Sequence, residues 1–230
     1  MSTEVDLPTG LGDEAPDPDP SAVASLRVVL LCVVVIGALA IAGAVGWLIA
    51  DRGSGTSIGS GSVDAGFARD MSAHHDQAVQ MAGYTRDHTS NSSIELLAFD
   101  IETSQYTELG QMQGWLDGWG LSRISSQPVM SWMTGHSHVE SDGLMPGIAT
   151  PAEIDKLLRL TGKPLDLFFL QLMIRHHQGG LPMAQYAAEH AKEPYVRNLA
   201  QKMAQSQSNE IVQMEQLLRQ LGGSPLPAPD

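Results

Sequence analysis

The sequence predicts an all-α protein: a four-helix bundle made of two tandem helical hairpins, preceded by a single N-terminal transmembrane helix. Three observations carry this expectation. Phe67–Leu121 aligns with Phe169–Gly223 without a gap at an offset of 102, placing Phe67 on Phe169, Met81 on Met183, Tyr84 on Tyr186, His88 on His190 and Gly120 on Gly222. About a third of the aligned positions are identical, and self-similarity of this kind sets the architecture before any other signal. Within the first copy, Phe67, Met71, His74, Ala78, Met81 and Ala82 recur at three-and-four spacing, the period of a helix buried along one face. Finally, the run Val28–Ala50 carries no charged residue.

In chain order, residues 1–25 are rich in acids and prolines and contain no base. They cannot bury enough apolar surface to fold alone, which predicts a disordered acidic tail. Residues 26–50 are predicted to span a membrane: at about 1.5 Å per residue the uncharged run reaches roughly 35 Å, enough to cross with some tilt. A cleaved signal peptide is the rival, but its apolar core is shorter and follows a basic region rather than an acidic one. Arg27 on one side and Arg52 and Arg69 on the other leave little charge asymmetry to orient the span. Residues 51–62, mostly Gly and Ser, predict a flexible linker.

The bundle is expected over 63–222. A helix from Val63 to about Asp87 breaks at Thr89–Ser93, and a second runs from there to Trp119, with Gly120 as its stop. Residues 122–163 form the crossover. Thr150-Pro151-Ala152-Glu153 gives its short helix a capping box with Pro at the first helical position. The third long helix, Pro164 to Ala191, contains Gly179-Gly180 and Pro182, which predict a kink or break just after His177. Pro194 opens the fourth, and residues 223–230 form a second disordered tail. One hairpin leaves an apolar stripe uncovered, so two are expected to face each other across a pseudo-twofold axis.

What recurs between the copies is chiefly His, Met, Gln and Glu. His74-His75 and His176-His177 are each flanked by a Met on the same helix (Met71 and Met81, Met173 and Met183), and the partner helices carry Glu108 and Glu210. Bundles build metal sites from inward-pointing side chains on facing helices. Thioethers with imidazoles suit Cu(I), and a carboxylate beside an imidazole can fix its tautomer. The candidate metal residues are therefore His74, His75, His176, His177, Met71, Met173, Met81, Met183, Glu108 and Glu210, with copper as the ion. The bland alternative is a buried polar network in which Glu108 and Glu210 lock the hairpins in register, with the Met residues as core filler. His88 and His190, near helix ends, read as structural. The crossover residues Met130, Met133, His136, His138 and Met145 are either a second soft-metal site or an ordinary loop packing its Met and Trp132 onto the bundle.

These paired segments, with the Met145-Pro146-Gly147 step before the capping box, resemble the domain of unknown function 305 family over about residues 63–222. The resemblance implies a ferritin-like four-helix bundle, exported or membrane-anchored in bacteria, with copper-binding periplasmic members. The sequence departs from the family pattern at Gly180-Leu181-Pro182, where an unbroken helix is the rule.

Several function classes are disfavoured. The net charge of −13 argues against nucleic-acid binding. The single cysteine, Cys32, permits neither an internal disulfide nor a Cys-based zinc site. No Glu is followed three residues later by His, and only Glu108 and Glu210 recur, too few carboxylates for the di-metal oxidase of ferritin type. The oxidase stays a third alternative behind two readings that the sequence favours. One is a non-enzymatic, membrane-anchored metal-binding protein at the cell membrane, its C-terminal domain extracytoplasmic, buffering copper or passing it to a transfer partner. The other is a metal-free accessory subunit of a membrane complex.

Overall fold

A computed structural model describes residues 37–46, 58–135 and 143–229. The chain divides into two units, Met1–Thr56 and Ser57–Asp230. In the first, residues 37–46 are helical (α1) and exposed throughout. The rest of the predicted span, like the acidic tail, lies outside the described residues. Among the described residues no helix is long and apolar enough to cross a membrane.

The second unit is all helical: α2 (Val63–His88), α3 (Ser92–Gly118), α4 (Pro151–Leu157), α5 (Gly162–His190) and α6 (Pro194–Gln220). α2 pairs with α3, α5 with α6, and the hairpins meet through α2 and α5. Local chemistry sets the helix ends. Ser62 caps α2 by accepting from the Ala65 amide at 3.2 Å, and Asn91 caps α3 by accepting from Ser93. Thr150 and Glu153 close the capping box of α4. Past α3 and α6 the chain turns through Gly120 (φ 67°) and Gly222 (φ 82°), where the Leu121 amide bonds the Leu116 carbonyl and the Gly223 amide the Leu218 carbonyl. A left-handed glycine with a bond back into the last turn is the usual helix stop.

The expected break in the third long helix does not occur: α5 is continuous through Gly179, Gly180 and Pro182. An internal Pro costs about 3 kcal/mol in an isolated helix, and the packing on both faces of α5, described below, overrides it. The linker expected to be flexible as far as residue 62 is fixed from residue 58 onward. Buried Arg69 donates to the Ser60 carbonyl at 2.7 Å, to the Ser60 hydroxyl and to the Ser122 carbonyl at 2.7 Å. Ile58 packs partly against the core. Within the tail 223–230, the Ser224 carbonyl accepts from Gln171 and Leu226 packs partly against the core.

A symmetric pair of aspartates joins the hairpins. Asp64, in the first turn of α2, accepts from the Lys192 and Glu193 amides at 3.0 and 2.8 Å, in the turn of the opposite hairpin. Its counterpart Asp166 on α5 accepts from the Thr89 hydroxyl at 2.5 Å, in the turn of the first. Both are buried. Asp64→Ala would leave two backbone donors without an acceptor. The expected loss is about 2 kcal/mol, read as a lower urea midpoint at unchanged slope.

The crossover packs onto the bundle. Asp70 accepts from the Met130 amide at 2.6 Å and the Trp132 indole at 2.8 Å, fixing Met130 at φ 60°. Burial raises the Asp70 carboxyl above its ordinary range despite these bonds and nearby Arg69. Trp132 lies on Gly66, where an added Cβ would stand 2.6 Å from the Trp132 Cβ. Met130, Met133 and Met145 are buried in the same apolar cluster, the ordinary packing alternative. His136 and His138 lie outside the described residues.

Candidate metal centre

The middle of α2 and α5 faces inward because Phe67, Met71, Ala78, Met81 and Ala82, and likewise Phe169, Met173, Met183 and Ala184, are fully buried along one face of each helix. His74, His75, His176 and His177 fall on that face and are all but fully buried. Met71 and Met183 share one apolar cluster, Met81 and Met173 the other. That is the pairing of antiparallel helices, and in sequence each His doublet lies between its two Met residues.

Each imidazole is held through Nε2 by an oxygen. His75 Nε2 donates to Glu108 at 2.9 Å, and His177 Nε2 to Glu210 at 2.7 Å. His74 Nε2 donates to the Pro146 carbonyl at 3.2 Å, and His176 Nε2 to the His74 carbonyl at 2.9 Å. A carbonyl or carboxylate oxygen only accepts, so each ring carries a proton on Nε2, and a ring in its neutral form has its lone pair on Nδ1. All four Nδ1 atoms are buried without a hydrogen-bond partner. So are the side-chain oxygens of Gln105, Gln178 and Gln207 and the Gln105 nitrogen. Each such atom ordinarily costs about 1–3 kcal/mol.

The rings of His74 and His176 approach to 3.8 Å between centroids, tilted by 41°. Burial, reinforced by His75, depresses His74 to a pKa of about 3 against the opposing Pro146 bond. Burial, with His74, His177 and His75, depresses His176 in the same direction. Both rings are therefore neutral at physiological pH. Burial alone would raise the Glu210 carboxyl, but hydrogen bonds from His177 and Ser206 and the neighbouring imidazoles bring it below its ordinary range. Among the described residues no three His, Cys, Asp or Glu groups stand in a ready coordination sphere.

The geometry bears on the alternative in which the two glutamates lock the hairpins in register. Glu108 and Glu210 do not bridge the hairpins, since each bonds a His of its own hairpin. At the centre, what crosses between the hairpins is the His176 bond to the His74 backbone. His88 and His190 lie apart from the centre. Each donates through Nδ1 to the carbonyl four residues back, of Tyr84 and Tyr186, and stacks on that tyrosine at 4.0 and 4.1 Å.

Sequence reasoning missed what Gly179 and Gly180 do. On α2, Gln77 holds the crossover with its side chain, donating to and accepting from Ala149 at 2.8 and 2.7 Å. At the matching position on α5, Gly179 admits the crossover backbone itself: an added Cβ would overlap the Pro146 carbonyl and stand 2.7 Å from the Gly147 nitrogen. Gly180 leaves room for Gln207 and His74, each 3.1 Å from where its Cβ would be. Pro146 is thus pressed between α5 and the His74 ring it orients. Gly179→Ala is expected to cost about 2 kcal/mol by overpacking against rigid backbone, seen as a drop in thermal midpoint.

A model of the family described as domain of unknown function (DUF305) matches residues 64–218. Among solved structures, a protein from Streptomyces coelicolor described as a secreted DUF305 protein is 43% identical, covers 74% of this chain and 99% of its own, with a TM-score of 0.68. A DUF305 fragment from Deinococcus radiodurans is 30% identical over 69% of this chain and 96% of its own, with a TM-score of 0.58. CopM in its Cu(I)-bound form is 26% identical over 70% of this chain and 98% of its own, with a TM-score of 0.53. CopM also matches in Cu(II)-bound and silver-bound forms. No curated protein matches the chain.

Proposed function

The chain belongs to the DUF305 family, and on that premise we propose that it is a membrane-anchored, extracytoplasmic protein that binds copper, as Cu(I), and buffers or hands on the ion without turning over a substrate. The observation that carries the reading is the set of four buried Nδ1 atoms without a hydrogen-bond partner, each on a ring whose Nε2–H is engaged by an oxygen. Metal-binding histidines have this outer support, which fixes the tautomer and raises the basicity of the ligating nitrogen. The donors fit the ion. Neutral imidazoles with thioethers nearby suit a soft monovalent cation, and burial, which disfavours the charged ring, keeps His74 and His176 unprotonated. His74, His75, His176 and His177 would supply the nitrogens, with Met71, Met173, Met81 and Met183 as flanking thioethers. Glu108 and Glu210 hold rings rather than metal.

Support for the ion comes from CopM, whose solved forms carry copper or silver. Support for the location comes from the relative described as secreted and from the uncharged run Val28–Ala50. A second reading is a metal-free accessory subunit with a purely structural polar core; it draws on the lack of a ready coordination sphere among the described residues. Titrating the metal-free full chain with Cu(I) under reducing conditions, against a chromophoric chelator, separates the two. The expected result is saturable binding with defined stoichiometry that outcompetes the chelator. A folded protein that takes up no copper at any ratio would leave the structural reading standing.

A further inference from the structure

The outer face of α3 carries an apolar stripe that the fold does not require. Leu96, Phe99 and Tyr106 are 61%, 48% and 66% exposed. With exposed Thr103 they follow a three-four-three spacing. At ~100° per residue they fall within an arc of roughly 80°, opposite the buried stripe of Ile94, Leu97, Ile101, Gln105 and Leu109. Gly110 and Gly114 continue the stripe and have nothing within 4 Å of an added Cβ.

The second hairpin serves as an internal control. Shifted by 102 residues, the offset that relates His74 to His176, the stripe becomes Asn198, Gln201, Gln205 and Ser208 on α6. The same helix in the same architecture is thus polar at each of these positions. Scattered exposed apolar residues need no explanation, but an ordered stripe rimmed by polar residues marks an interaction surface.

Charge identifies the occupant. α3 carries Glu95, Asp100, Glu102, Glu108 and Asp117 and no Lys or Arg. Arg86 of α2 pairs with Glu102, and Arg123 with Asp117. Glu95 and Asp100 are exposed on either side of the stripe. A second α3 laid against this face would set acids against acids, which is costly at helix flanks. We propose that the outer face of α3 docks a basic amphipathic helix of another protein, its apolar residues meeting Leu96, Phe99 and Tyr106 and its Lys or Arg residues meeting Glu95 and Asp100.

The test uses the full chain and two fluorescent synthetic helices with the same leucine stripe, one flanked by Lys and one by Glu. The Lys helix is expected to bind and the Glu helix not. Leu96→Ser with Tyr106→Ser, both exposed and so without effect on the melting curve, should weaken binding at least about tenfold. Glu95→Gln with Asp100→Asn should weaken it and flatten its salt dependence. Gln201→Ser with Gln205→Ser on α6 should leave it unchanged. Equal binding of the Lys helix to every variant would show diffuse attraction to an acidic protein and overturn the proposal. So would a wild-type dimer in sedimentation that the Leu96→Ser, Tyr106→Ser chain loses, since a second copy would then cover the stripe.

Discussion

A chain carrying His74→Ala and His176→Ala is expected to lose Cu(I) to a competing chelator that the wild-type protein outcompetes. These rings lie 3.8 Å apart between centroids and come from different hairpins, so removing them takes a nitrogen donor from each half. The loss should exceed the roughly 10–100-fold typical when only the outer partner of a metal-binding histidine is removed. Because both rings are fully buried and His176 joins the hairpins through the His74 carbonyl, the double variant also loses stability. Glu108→Gln with Glu210→Gln provides the gentler comparison. These carboxylates are about one-fifth exposed, 19% and 20%, and a carboxamide oxygen still accepts from Nε2. The fold should survive while Cu(I) affinity falls by roughly 10–100-fold. If the glutamine variant and the wild type hold copper equally well, the carboxylates contribute only structure. If the alanine variant folds and holds copper as tightly as the wild type, the imidazoles are not its ligands.

Much of this arrangement was legible in the sequence because duplication turns weak local signals into paired ones. A lone His on an apolar face says little, but the doublet at 74–75 and again at 176–177, with Glu108 and Glu210 at matching distances, marks one repeated unit. Helix ends were legible for the same reason: Gly120 and Gly222 stop α3 and α6 alike. Asp64 and Asp166 went unnoticed, although they too stand 102 apart, because they fall just before the aligned stretch begins at Phe67. Their role could not be read from spacing, since each acts on the opposite hairpin. Gly179, Gly180 and Pro182 misled for a different reason. Local propensity predicts a broken helix, whereas the glycines admit the Pro146–Gly147 backbone and the His74 ring. Close approach between segments far apart in the chain leaves no mark on helical periodicity.

The metal-free protein should unfold readily in mild acid, and the imidazoles rather than the carboxylates should set where this begins. His74 has a pKa of about 3 in the fold, against about 6.5 in an unfolded chain. The unfolded state therefore binds the extra proton between those values. The stability is fully present above pH 6.5 and is lost as pH falls through that window, at about 1.4 kcal/mol per pH unit for each such group. Integrated over the window, His74 alone accounts for about 4–5 kcal/mol, and His176 is displaced in the same direction. Glu153 and Glu210 also sit below their ordinary values, so they too favour the fold at neutral pH, but their share is lost only below about pH 4.5. Asp70 is displaced upward and offsets part of that later loss, because its protonated form is favoured in the fold. Between pH 6.5 and 5 the carboxylates in an unfolded chain remain essentially ionised, leaving the two histidines dominant. Urea unfolding of the full chain with chelator present should show a fall of roughly 3–4 kcal/mol over that interval. His176→Gln should show about half the slope, even though it starts from lower stability. A flat profile from pH 6.5 to 5 would mean that the buried rings take up protons without unfolding, and hence that water reaches them.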